Sequence, residues 1–467
     1  MRFRSVTHQV TNLTASIFLG AAILLGGASH PDVVAHLILQ LMGLGLIAIA
    51  VFRTDLRPLN RSQWILVSLG FAFGTWTVLQ LLPIPDTLWS SLPGRSVIKD
   101  GANLLGVATS GFAVSVIPER TLLALLGIAP PLAAFIWVCR FGWTRAIGRL
   151  QWAIPIFGAA SVALGLAQVF AGPDSPLYFY RHTSPELPVG VFSNANHQAT
   201  LCLMCLPFVF ALAARVRRDF QSGDRDYAKA LAIGVLGFAN LLGVLAAGSV
   251  AGYAISVPVL VLSLLLFASV GGTKGNVAGV GGLIGVVAAS ALLVGFSPML
   301  DNLGSTSFEK TALSRYGIWD RSGDVAADHI WVGSGLGTFR RVYALYEDPE
   351  NVTPKYVNHA HNDYLQVGIE SGLPGLVLLV ATALFWLISS ARIWTMQPSS
   401  ETRLKQAATI SFLVLLLHSV VDYPGRTPAI AALAAICLAI MVTPQKSPAR
   451  RMRSKSNQPT NEKRIAL

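Results

Sequence analysis

The chain has 467 residues, of which 53% are hydrophobic and only 12% charged, and it carries a formal net charge of +12. Soluble domains hold about twice that share of charge, so composition excludes an ordinary soluble fold and places the chain in lipid. A hydrocarbon core about 30 Å thick asks for roughly 20 apolar residues per helix, because no water is there to satisfy backbone groups.

Charge-free runs predict twelve membrane-spanning helices, at roughly 10–29, 33–52, 63–83, 121–139, 151–171, 191–214, 230–247, 251–270, 277–297, 371–391, 406–421 and 427–444. The run from Ala230 to Val270 is too long for one span, and Gly248 and Ser249 supply the turn that divides it. Met1-Arg-Phe-Arg opens the first helix rather than a signal peptide, since no small-residue cleavage site precedes Pro31 and eleven further spans follow. The eleventh run is the shortest, at 16 residues.

Lys and Arg collect in short cytoplasmic segments. With the N-terminus inside, 24 of the 35 basic residues fall on the inner side, and six of the remaining 11 sit in one long outer loop. Both termini are then cytoplasmic, and the net charge is explained by topology and by anionic lipid, with no need for nucleic acid. The chain reads as a transmembrane bundle over 1–444, holding a large periplasmic loop at 298–370, followed by a basic, disordered tail at 445–467. Cys139, Cys202, Cys205 and Cys437 all lie in or beside apolar spans and read as packing residues; the CxxC of Cys202 and Cys205 has no paired second motif for zinc.

The unusual polar chemistry gathers on the outer side. The 298–370 loop has ten acidic residues, six basic residues and many aromatics, a composition suited to a small helical cap. Within it, Arg315 and Trp319 stand at i and i+4, so a helix presents both on one face. The run Trp331-Val-Gly-Ser-Gly-Leu-Gly-Thr-Phe339 lacks the preceding strand and the lysine of a nucleotide loop and reads better as a tight turn. Asn358-His-Ala-His-Asn-Asp-Tyr-Leu-Gln366 leads into the tenth span. His359 and His361, at i and i+2, point apart on a helix and lack a third ligand, which disfavours a metal; acid–base work and simple solvation of a helix end both remain open. Arg181 and His182, then Asn194, Asn196 and His197, then His418, Asp422 and Arg426 complete the outer set, and ionisable residues that border spans are functional candidates by default. His418 and Asp422, at i and i+4, suit either a structural hydrogen bond or a catalytic pair.

At these residues the sequence resembles the O-antigen ligase and polymerase superfamily of bacterial membrane glycosyltransferases. The similarity rests on His361-Asn362, a nine-residue gap and Gly372-Leu-Pro-Gly375; on Ser314-Arg-x-x-x-Trp319 followed by the glycine run; and on the segments Gly190–Gln198 and His418–Pro428. It extends from about Leu150 to Thr443, while the first four spans match mainly in hydropathy. The resemblance implies an all-helical bundle with a periplasmic active site in the bacterial inner membrane. It implies transfer of a glycan from an undecaprenyl diphosphate carrier to lipid A–core, in ligases, or to another lipid-linked glycan, in O-antigen and exopolysaccharide polymerases, with neither metal nor cofactor. His361 and Arg315 are the implied catalytic pair, as base and as cation for the leaving diphosphate. Arg181, Asn196, His197, Asn362, His418, Asp422 and Arg426 are the candidate substrate-binding residues. One departure stands out: many relatives carry an arginine where this chain has Val250, so a second phosphate-binding cation must come from elsewhere, with Arg181 and Arg426 as candidates. A transporter or flippase of a lipid-linked or anionic solute, and a non-catalytic assembly protein, are the readings from other classes.

Overall fold

A computed structural model describes residues 2–30, 34–53, 56–106, 111–141, 146–184, 186–268, 315–348 and 356–445. Helices dominate it. In chain order they are α1 (Arg2–Leu25), α2 (Val34–Phe52), α3 (Arg61–Leu79), α4 (Asp86–Ser91), α5 (Ser96–Leu104), α6 (Pro118–Leu126), α7 (Ala129–Phe141), α8 (Ala146–Ala171), α9 (Ala195–Gln221), α10 (Tyr227–Ala246), α11 (Val250–Ala268), α12 (Arg315–His329), α13 (Phe339–Ala344), α14 (Asp363–Trp394), α15 (Ser400–His418) and α16 (Pro428–Val442), with a 3-10 turn at Pro424–Arg426. The strands among the described residues are a two-residue antiparallel pair, Pro83–Ile84 with Phe112–Ala113.

Eleven of the twelve expected spans coincide with helices, and the ninth, 277–297, lies outside the described residues, as does the tail beyond 445. Eight described spans are long and apolar enough to cross a membrane, with the shorter apolar helices Thr14–Leu25 and Pro428–Val442 beside them. The chain is therefore an all-α membrane bundle. Its helices begin where side chains replace missing backbone partners: Asn60 and Gln63 form a capping box on α3, while Asn194, Asn362 and Ser399 cap α9, α14 and α15.

Helix α9 is the axis of the bundle. Its apolar window is 83% buried, and it packs against α8, α10, α11 and α15. Peripheral helices keep a lipid-facing stripe instead, as α2 does with Leu37, Ile38 and Leu41 exposed. Helix α14 is broken inside its first third: Gly372 takes φ +63° and ψ −162° and separates a short polar segment from a long apolar one. That break faces the glycine run. Gly333, Gly335 and Gly337 all have positive φ, at +81°, +108° and +83°, and the backbone N–H groups of Ser334 and Gly335 donate to the carbonyls of Ile369 and Glu370 at 2.8 and 2.9 Å. The Gly333 and Leu336 amides bond the His329 carbonyl and the Gln80 side chain, so the amides at the start of this run are taken up within the protein, which suits a turn better than a phosphate cradle.

Candidate active site

Between α15 and α16 the chain turns and buries Asp422 completely. One carboxylate oxygen accepts from the Asn196 amide at 2.6 Å and stands 4.0 Å from an Arg315 nitrogen. The other accepts from the Tyr423 backbone N–H at 3.0 Å and lies 3.4 Å from Nδ1 of His361. That last separation is long for an aligned hydrogen bond yet close enough for strong electrostatic coupling. Burial alone would raise the Asp422 carboxyl pKa; the neighbouring His361, His197 and Arg315 outweigh it and hold the group well below the usual carboxylate range. Asp422 is thus a permanent anion around which four separate parts of the chain assemble.

Helix α12 delivers two side chains to this cluster from one face. Arg315, at its first turn, reaches Asp422, and Trp319, one turn later, donates its indole N–H to the His361 carbonyl at 3.1 Å. His361 itself takes φ +49°, a left-handed conformation that costs a side-chain-bearing residue on the order of 1 kcal/mol or more. It is fixed there between the Trp319 bond and the cap of α14, where the Asn362 side chain accepts from the Leu365 N–H at 3.0 Å. The His361 side chain is 26% exposed while its Nδ1 is fully covered, so the accessible part of the ring points away from Asp422.

Three histidines surround the Tyr423 ring, with centroids at 4.2 Å for His359, 4.8 Å for His361 and 5.1 Å for His197. The Gln366 amide nitrogen donates to Glu370 at 3.0 Å and lies 3.2 Å from Nδ1 of His359, which makes that nitrogen an acceptor and puts the ring proton on Nε2. Burial first, and the Arg426, His361 and His197 charges second, push the His359 pKa well below its usual value, so this ring stays neutral. His418 is also buried. Its Nδ1 is 2.7 Å from the Thr200 hydroxyl, whose own proton goes to the Asn196 carbonyl at 2.9 Å, so His418 donates.

A second charge cluster adjoins the first. The Arg426 guanidinium binds Asp363 at 3.2 Å and Glu370 at 2.8 Å. Asp363 also accepts from the Ser419 hydroxyl and the Gly425 N–H, and Glu370 accepts from the Gln366 amide and the Phe339 N–H. Burial works against the Arg426 charge; Glu370 and Asp363 outweigh it and raise its pKa. Arg426 is therefore committed to two carboxylates of this chain.

The structure brings His361, Arg315, Asn196 and Asp422 into direct contact, gathers His197 around Tyr423, and links His418 to them through Thr200. Asn362 serves as a helix cap. Arg181 is exposed and makes no hydrogen bond or ion pair with the cluster among the described residues. Tyr178, three residues before it, packs with Ala195, Ala199 and Ala247, beside the start of α11 where Val250 stands. Among the described residues, no group of three or more His, Cys, Asp or Glu is arranged to hold a metal ion. Sequence reasoning passed over Tyr423, Glu370 and Gln366. A glutamate at the head of an apolar span was the available signal, since such a charge must find a partner. Gln80 was also missed: from the end of α3 it donates to the Val332 and Glu370 carbonyls at 3.0 and 2.9 Å and ties the glycine run to α14.

Fold and site together define a helical membrane protein with a buried carboxylate set beside one histidine and one arginine. The O-antigen ligase family model matches residues 233–380, a stretch that holds Arg315, Trp319, the glycine run, His361 and Gly372. This match supports membership of the O-antigen ligase superfamily, and with it a ligase- or polymerase-like membrane enzyme of glycan transfer. No curated protein matches the chain.

Proposed function

We propose that the protein transfers a glycan from an undecaprenyl diphosphate carrier to a saccharide acceptor at the periplasmic face of the bacterial inner membrane. The observation that carries this reading is that one buried carboxylate, Asp422, lies beside both His361 and Arg315 while part of the imidazole stays exposed. The acceptor hydroxyl oxygen attacks the anomeric carbon of the donor sugar, the bond from that carbon to the phosphate oxygen breaks, and the hydroxyl proton passes to Nε2 of His361. Asp422 keeps the other ring proton on Nδ1 and compensates the charge the ring gains. A positioned base of this kind contributes typically 10²–10⁴-fold. Arg315 opposes the charge that develops on the departing diphosphate, a task for which a permanently protonated guanidinium is suited. Neither role asks for a metal.

Arg181, three residues after Tyr178, which packs with Ala247, is the candidate cation to make up for the missing family arginine. Asn196 and His418 hold Asp422 and its helices, and His197 lines Tyr423, so these act by position. An apolar cavity of about 330 Å³ runs between α3, α7 and α14 and is walled by Leu66, Phe73, Leu132, Val367 and Leu378. Val367 lies between Asp363 and Glu370 on α14, so part of a polyprenyl chain held there would lie close to the site. Ligase and polymerase activities would use the same residues and differ in acceptor: lipid A–core for the first, a lipid-linked glycan for the second.

His361→Ala and Arg315→Ala should each abolish glycan transfer while inserting and unfolding like wild type. Wild-type surface polysaccharide in either variant would sink the reading. In a deletion strain, lipid-linked single repeats would mark a polymerase and full-length lipid-linked chains a ligase.

A further inference from the structure

A groove between helices lies away from the site just described, where α9 ends and α10 begins. It has a volume of about 560 Å³ and is lined by Arg217 and Arg225, by the aromatic rings of Phe220, Tyr227 and Phe267, and by an apolar wall that includes Val216, Ala230 and Ile233. The distribution of Lys and Arg assigns this end of the bundle to the cytoplasm.

The basic residues of this segment divide by task. Arg218 turns toward α15 and bonds the Ser400 hydroxyl at 2.8 Å, and Lys229 pairs with Asp226 at 2.8 Å. Arg217 and Arg225 line the groove instead and have no ion-pair partner among the described residues. The Arg217 guanidinium stands 5.2 Å from the Phe267 ring centroid, which fixes its plane and leaves its N–H edges open to an oxyanion. Phe220 and Tyr227 meet edge to face at 5.4 Å, an interfacial aromatic pair of the kind that sits at headgroup level. Above the groove, α10 exposes Leu231, Val235 and Phe238 at 71%, 58% and 70%, a lipid-facing stripe that begins where the groove ends.

We propose that this groove is a binding site for one anionic phospholipid of the cytoplasmic leaflet, with its phosphate on Arg217 and Arg225 and its acyl chains along Leu231, Val235 and Phe238. Basic pockets between transmembrane helices on the cytoplasmic side recognise such headgroups. The apolar stripe decides for a lipid over a free anion or an acidic peptide, because neither of those has a tail to cover it. The site stands apart from glycan transfer, and its test does not depend on that activity.

The test uses the full chain purified in a neutral detergent and follows its unfolding temperature. Dioleoylphosphatidylglycerol should raise it by several degrees, on the order of 5 °C for a ligand well above its dissociation constant, while dioleoylphosphatidylcholine and inorganic phosphate leave it in place. Arg217→Gln with Arg225→Gln should remove most of the shift. Ala230→Trp, which fills the groove and keeps both charges, should remove it too, whereas Lys229→Gln, outside the lining, should retain it. Equal shifts from the two lipids, a shift from inorganic phosphate alone, or an undiminished shift in the double variant would overturn the proposal.

Discussion

Asp422 and Arg426 are four residues apart in one turn, both lie in buried charge clusters, and the two clusters are wired in opposite senses. Around Asp422 one anion is approached by two groups, and one of them, His361, keeps 26% of its side chain exposed. Around Arg426 one cation is clamped by two carboxylates, and those carboxylates are in turn saturated by Ser419, Gly425, Gln366 and Phe339. A chemical site needs a group with something left to give, and a scaffold needs every group spent. Side by side, the same residue types do both jobs, and the difference lies in which partner is in excess.

The contrast can be broken most forcefully at Arg426. Replacing it with Ala leaves Asp363 and Glu370 buried without a counter-charge, which should cost about 3–5 kcal/mol of stability, read as loss of folded protein or a large drop in unfolding temperature. A stable, inactive Arg426→Ala variant would instead make Arg426 part of the chemistry. Asp422→Asn keeps the shape and most of the acceptors but removes the charge. Transfer should fall by about 10²-fold, roughly 2.7 kcal/mol of barrier, with an unfolding temperature near that of wild type; a fall in stability with unchanged transfer per folded molecule would reverse the assignment of the two clusters. The smallest effect is expected outside both. His329 on α12 is held at a pKa of about 4 by burial first and by Arg95 second. The unfolded chain takes up that proton near pH 6.5 while the folded one does not. The stability tied to the neutral ring is thus complete above about pH 6.5 and lost as pH falls from there toward the folded value, by up to about 1.4 kcal/mol per pH unit. His329→Gln should flatten the fall in unfolding temperature between pH 6.5 and 5, and an unchanged slope would count against a buried neutral imidazole.

Hydropathy was enough to locate the helices expected on the described residues, because lipid imposes one rule on every helix that crosses it. Where charge interrupts that rule the sequence misleads. Helix α15 begins at Ser400, yet the expected span began at 406, because Glu401, Arg403 and Lys405 look like a loop; Arg403 and Lys405 are in fact 6% and 5% exposed, folded into the bundle. In the same way α14 starts at Asp363 and not at 371, since its first two turns carry the polar groups of the site. Local geometry in the site was legible: the i, i+4 spacing of Arg315 and Trp319 does put both on one face, one on Asp422 and the other on His361. Pairings across the chain were not. Arg426 meets Asp363 and Glu370 at separations of 63 and 56 residues, and nothing in the spacing of a linear sequence distinguishes that clamp from a free arginine awaiting a phosphate. The capping role of Asn362 was equally hidden, since a helix cap and a ligand-binding amide are the same residue type at the same kind of boundary.

The meeting of Gly333 with Gly372 reaches beyond local shape. A Cβ on Gly333 would lie 2.3 Å from the Glu370 carbonyl oxygen, and one on Gly372 would lie 2.7 Å from the Gly333 backbone nitrogen. Each collision is with main chain, so no second substitution across the contact can make room for the first. The two positions are therefore locked independently, and a search of sequence space that moves one residue at a time, or even both together, finds no path through this point of the fold. Any change in what the protein recognises has to be written in side chains elsewhere.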